Sequence, residues 1–86
     1  MSNIIVSVKD EHQTFSFDME IPVNASLKKT GENILEALDT LMPGLNFNIR
    51  WYMLIHNRTG QKLEGEKTVE DAGIWNGDYI TMTVRR

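Results

Sequence analysis

Thr68-Val69-Glu70-Asp71-Ala72-Gly73-Ile74-Trp75-Asn76-Gly77-Asp78-Tyr79-Ile80-Thr81-Met82-Thr83-Val84 decides how the whole chain is read. A short polar turn carries two apolar plugs, Val69 and Ile74. A tight Asn76-Gly77-Asp78 corner follows, because Asn, Gly and Asp tolerate the backbone angles of a turn. Ile80, Met82 and Val84 then alternate with Tyr79, Thr81 and Thr83, the period-two signature of a strand with one buried face. A strand entered through its own turn at the end of a small chain is expected at the middle of a sheet. Everything upstream has to flank it.

Working back from it, Ile49 to His56 reads as a third strand. Its two possible inward sets are Ile49, Trp51, Met53, Ile55 or Arg50, Tyr52, Leu54, His56. The first is wholly apolar and is the expected one, with Trp51 packing in the core beside Phe15 and Phe17. A three-residue loop, Arg58-Thr59-Gly60, then pairs Asn57 with Gln61 and sets Ile55 opposite Leu63. Leu63 ends a short fourth strand, and Glu64-Gly65-Glu66-Lys67 turns the chain into the closing stretch.

At the other end, Ile4, Val6 and Val8 alternate with Ile5 and Ser7. After a polar turn, Phe15, Phe17, Met19 and Ile21 alternate with Ser16, Asp18 and Glu20, so the first two strands form a hairpin. Pro22, with no N–H for a ladder, ends the second strand. Ser26 is a natural N-cap for a helix. Leu27, Ile34, Leu35, Leu38 and Leu41 share its inner face with Gly31, while Lys28, Lys29, Glu32, Glu36 and Asp39 share the outer. Glycine in a helix costs roughly 1 kcal/mol against alanine, so Gly31 is expected to pack closely on the sheet. Pro43 and Gly44 stop the helix near Met42. The result is an α+β sheet of four to five strands, order 2-1-5-3-4, with one helix on one face.

The chain has 86 residues, which is one domain spanning 1–86. Nine basic against twelve acidic residues leave a net charge of −3, and the bases are dispersed, which argues against nucleic acid as a partner. The absence of cysteine removes disulfides, thiol catalysis and cysteine metal sites. No apolar run approaches the ~20 residues of a membrane helix, and the N-terminus lacks a signal-peptide pattern. A soluble cytoplasmic protein without membrane insertion is the expectation, and the triplets at Asn24 and Asn57 are then chance matches to a glycosylation signal.

This order of elements resembles the ubiquitin-like β-grasp over nearly the whole chain. The segment Leu63-Glu64-Gly65-Glu66-Lys67-Thr68-Val69-Glu70-Asp71-Ala72-Gly73-Ile74 is similar to ubiquitin's leucine, turn and Thr-Leu-Ser-Asp-Tyr-Asn-Ile segment without a gap. The spacing of Ile21 to Leu27, capped by Ser26, also fits. Within that superfamily, Leu27-Lys28-Lys29 and the closing Ala-Gly-Ile-Trp-Asn-Gly-Asp look most like the YukD/EsaB family. The resemblance implies a small bacterial, cytoplasmic accessory or regulatory factor of a type VII secretion system. The alternatives are a ubiquitin-type modifier or sulfur carrier, and a regulatory domain of a membrane-bound secretion component. The first is disfavoured because the sequence ends Val84-Arg85-Arg86, without the terminal Gly-Gly that such proteins need for activation.

The residues themselves offer little for catalysis. His12 and His56 read as solvated side chains of a turn and a strand end, with no metal-ligand spacing. Asp10-Glu11, Glu64 and Glu66 read as turn decoration, and no nucleophile, base and orienting group come together. No catalytic, metal or cofactor residue is assigned, and the chain is expected not to be an enzyme. Protein binding is the better expectation. With Met53 and Ile55 inward, Tyr52, Leu54 and His56 would face out beside Thr81 and Thr83, and Leu54 matches the apolar centre of ubiquitin's recognition patch. Trp75 is either an exposed anchor or packing against the sheet edge. Secretion-system membrane components are the implied partners. The chain would be a monomer or, through its first two strands, a weak homodimer.

Overall fold

Alternating apolar side chains give the sheet its inner face, and the helix lies across it. In the computed structural model, which describes residues 2–43 and 49–85, the elements are β1 (Asn3–Asp10), β2 (Ser16–Pro22), α1 (Leu27–Leu41), β3 (Trp51–His56) and β4 (Tyr79–Arg85). The sheet order is β2-β1-β4-β3: β1 and β2 are antiparallel, β1 and β4 parallel, β4 and β3 antiparallel. The closing strand is therefore internal, as its sequence implies. Val6, Val8, Ile80 and Met82 are fully buried beneath Ile34 and Leu38 of the helix, and Val69 and Ile74 close one end.

The helix begins where its cap predicts. Ser26 Oγ accepts the Lys29 N–H at 3.0 Å, and the Met42 N–H closes the other end on the Leu38 carbonyl at 2.8 Å. The first helical N–H groups, those of Leu27 and Lys28, donate to the carbonyls of Lys67 and Gly65 at 2.8 and 2.9 Å. The loop before the closing stretch is thus tied to the helix start, satisfying donors that a helix leaves open. Gly31 sits against β3 so closely that an added Cβ would lie 2.7 Å from Tyr52 Oη. Leu41, placed on the inner face by spacing, is exposed. Gly44, read as part of the helix stop, and Arg86 lie outside the described residues.

β3 faces the opposite way from the sequence expectation. Leu54 and His56 are buried and Tyr52 is half-buried, whereas Trp51 is 44% exposed and Met53 and Ile55 are only partly covered. The pairing with β4 is consistent with this, since Leu54 lies opposite Met82 and His56 opposite Ile80. The turn also differs by one residue. His56 N–H donates to Gln61 O at 2.9 Å and Leu63 N–H to Leu54 O at 2.8 Å, so residues 57–60 form a four-residue loop. Ile55 then bridges Lys62 rather than Leu63, and that bridge is all that stands in place of the short fourth strand. A shift of one residue exchanges every side chain between faces, which moved Trp51 out of the core and Leu54 into it. Leu54 and Leu63 meet inside instead.

Candidate functional site: the Trp75 corner

Two turns converge at one end of the β3–β4 ladder. The first, residues 57–60, follows β3; the second, residues 73–78, precedes β4. Gly73 (φ 74°) and Gly77 (φ 89°) take left-handed backbone angles that let the second turn fold back tightly. Its Asp78 carboxylate gathers four donors. Oδ2 accepts the Trp75 N–H at 2.9 Å, His56 Nε2 at 2.6 Å and Arg58 Nη2 at 3.2 Å, and Oδ1 accepts Arg58 Nε at 3.4 Å. Arg58 Nη2 also donates to the Gly73 carbonyl at 2.6 Å.

The guanidinium so held lies 3.6 Å from the centre of the Trp75 ring. The indole is nevertheless 61% exposed. A surface tryptophan normally samples several rotamers; this one is braced from behind by a stacked cation that is itself fixed at two points. Cation–π contact of this kind is worth about 0.5–1 kcal/mol at an exposed site.

His56 is wholly buried at the base of the corner. Because the Asp78 carboxylate can only accept, Nε2 carries the proton toward it, and Nδ1 meets the Thr59 hydroxyl at 3.1 Å. Thr59 Oγ1 in turn accepts the Gln61 N–H at 3.2 Å. Burial pushes the Asp78 carboxyl up, but hydrogen bonds from Arg58, the Trp75 N–H and His56, together with the Arg58 charge, outweigh it and hold the pKa at about 2. Thr59, His56 and Asp78 line up as hydroxyl, imidazole and carboxylate, yet the ring has no exposed atom to offer a substrate. What the set does is clamp one turn to the other. Among the described residues no group of three or more His, Asp or Glu side chains could hold a metal ion, and no helix is long and apolar enough to cross a membrane.

The expected outer-face patch is rearranged. Leu54 and His56 are interior, and Tyr52 lies under Gly31 with its ring against the helix. Thr81 and Thr83 do face outward, but their neighbours across the ladder are Ile55 and Met53. Thr81 donates its hydroxyl to Asn57 Oδ1 at 2.6 Å, and Thr83 is buried. Trp75 is the one expected site residue left prominent on the surface. Ile5 and Tyr79, also exposed, lie on the adjoining strands; Ile5 N–H is held by Asn76 Oδ1 of the same turn at 2.8 Å. Arg58 and Asp78 had no local signal: the Asn76-Gly77-Asp78 run announces a turn, and nothing in it says which cation the acid will meet.

The fold is the ubiquitin-like β-grasp. Among solved structures, the chain is similar to the ubiquitin of Caldiarchaeum subterraneum at 14% identity, with 99% of this chain and 96% of that one covered and a TM-score of 0.70. It is similar to the ubiquitin-like domain of an Arabidopsis thaliana protein at 15% identity, covering 100% and 81%, with a TM-score of 0.72. It is likewise similar to the ubiquitin-like domain of the Mycobacterium tuberculosis type VII secretion system protein ECCD1 at 15% identity, covering 96% and 99%, with a TM-score of 0.71. No family model and no curated protein sequence matches the chain.

Proposed function

We propose that the protein is a non-catalytic interaction module that docks a partner protein through Trp75, as a cytoplasmic accessory or regulatory factor of a bacterial type VII secretion system. The observation that carries the docking role is the exposed indole stacked on the Arg58 guanidinium, which is itself bonded to Asp78. Large aromatic side chains that lose little freedom on binding are the usual energetic centres of interfaces. Ile5, whose N–H is held by Asn76 of the same turn, and Tyr79, which follows the turn directly, are exposed as well. The secretion assignment is supported by the YukD-like segments of the sequence and by the fold shared with the ECCD1 domain. Cytoplasmic components of such a system are the partners this reading implies.

Titration calorimetry of the protein against purified cytoplasmic domains of the type VII components from the same cell provides the test. Trp75→Ala should weaken the complex by about 2 kcal/mol or more, roughly thirtyfold in Kd. Its thermal stability should fall by no more than about 1 kcal/mol, the worth of the exposed stack. Unchanged affinity in that variant removes the corner from the interface, and no binding to any component removes the secretion role.

A further inference from the structure

β2 is a free edge of the sheet, and its hydrogen-bonding parity is fixed by the hairpin. Asp10 N–H donates to Phe15 O at 3.4 Å and Val23 N–H to Ser2 O at 3.1 Å, so the residues of β2 that bond to β1 are the odd-numbered ones. The N–H and C=O groups of Ser16, Asp18 and Glu20 therefore point away from the sheet. In an antiparallel ladder the same residues project their side chains to one face, here the outer one. An unpaired strand of this length is a template for another strand unless something blocks it.

The side chains along this edge select what can pair. Asp18 accepts only the Ser7 hydroxyl at 2.6 Å, and Glu20 only the Asn3 amide at 2.9 Å; neither has a cation among the described residues. On the helix side the edge borders a groove of about 320 Å³ lined by Met19, Glu20, Asn33, Glu36, Ala37 and Thr40, again with no lysine or arginine. A second copy of β2 fits badly. Paired antiparallel about Asp18 or Met19, it sets carboxylates against carboxylates, and like charges directly opposite destabilise a ladder.

We infer that the β2 edge receives an extended segment of a partner protein whose side chains alternate between basic and apolar, added to the sheet as a further strand. Main-chain bonds to Asp18 and Glu20 supply the attachment, and side-chain alternation supplies the selectivity. In that register, residues opposite Asp18 and Glu20 share their face, so a Lys or Arg at every second position meets a carboxylate. The residues between turn to the other face, toward Met19 and Ala37 in the groove. The attachment groups are the free main-chain N–H and C=O of β2, so the inference does not depend on the Trp75 reading, although Glu20 stands opposite Ile5 across the β1–β2 ladder.

The probe is a short capped peptide of alternating lysine and valine. Its controls are the same composition arranged in blocks and an alternating glutamate–valine peptide. Binding is followed by NMR, with hydrogen exchange of individual amides. The alternating basic peptide should bind and slow exchange at the Asp18 and Glu20 amides, and the block peptide should bind about tenfold more weakly, since it cannot place both cations. Asp18→Lys with Glu20→Lys, both exposed positions, should keep its unfolding temperature, lose the lysine–valine peptide and take the glutamate–valine one. Equal binding of the block peptide reduces the effect to bulk charge attraction and overturns the inference. Unchanged exchange at those two amides overturns it as well. Protection of the same amides that grows with protein concentration and needs no peptide makes the occupant a second copy, and equally overturns it.

Discussion

Gly31 and Tyr52 form a pair whose fit is decided at a single atom. Alanine is the better helix former by roughly 1 kcal/mol, so Gly31→Ala would stabilise an isolated helix. Here the new methyl carbon would lie 2.7 Å from Tyr52 Oη and 3.2 Å from its ring edge, so the aromatic must move. Overpacking costs about 1–3 kcal/mol, and we expect the substitution to be net destabilising by ~1 kcal/mol. Removing the hydroxyl with Tyr52→Phe should recover part of that loss, which a double-mutant cycle in urea reads directly; additive effects would mean the contact is relaxed elsewhere. Asp78 gives a second prediction. Its carboxyl ordinarily titrates at 3.8 and is held at about 2 in the fold, so the folded state binds the proton less readily than the unfolded one. The stabilisation, about 2 kcal/mol, is therefore complete above about pH 4 and disappears as pH falls through about 2. Burial also pushes the Asp10 carboxyl up, but the Thr14 hydroxyl and the N–H groups of Phe15 and Thr14 lower it on balance, adding in the same direction. Asp78→Asn should be less stable at neutral pH and lose less of its melting temperature on acidification; an acid limb as steep as the parent's would place the effect elsewhere.

Strand β3 is the element on which the assignment of surfaces turns. Its apolar residues occupy both faces, Trp51, Met53 and Ile55 on one and Tyr52 and Leu54 on the other, so alternation alone cannot orient it. The consequence for stability is simple. Leu54→Ala removes a side chain that is 2% exposed and should cost about 2–5 kcal/mol. Ile55→Ala, on the outer face, should cost a fraction of that. Denaturant midpoints of the two variants compare the faces directly, and a reversed order of losses would mean the strand faces as the sequence pattern implied. The same orientation places His56 where Asp78 can reach it, since β3 and β4 run antiparallel and their adjoining turns lie side by side. Facing and corner stand or fall together.

For the molecule as a whole, the sheet has two inner strands and two edges, and its stability should be distributed accordingly. β1 and β4 are paired on both sides and carry the fully buried Val6, Val8, Ile80 and Met82. Their amides should exchange with solvent hydrogen only through global unfolding, whereas local opening governs the rest. In the isolated protein the Asp18 and Glu20 amides, directed off the free edge, should exchange fastest within β2, alternating with slow amides at Phe17 and Met19. Uniform protection along β2 would show that its edge is already covered.

How the chain folds was largely legible in its residues: alternation marks β1, β2 and β4, Ser26 and the apolar stripe mark α1, and the Asn76-Gly77-Asp78 run marks the turn into the central strand. These signals are local, since side-chain period and backbone preference act over a few neighbours. They also limited the choice of topology enough to put β4 inside the sheet. The site was much less legible. Trp75 could be singled out but not placed, and Tyr52, Leu54 and His56 were oriented the wrong way. A one-residue difference in the loop at 57–60 reverses β3, and it is settled only when the strand finds its register against β4. The Arg58–Asp78–His56 clamp joins residues about twenty positions apart, across two turns. No local pattern encodes a contact that chain folding itself has to bring together, and it is that contact which fixes the exposed tryptophan in place.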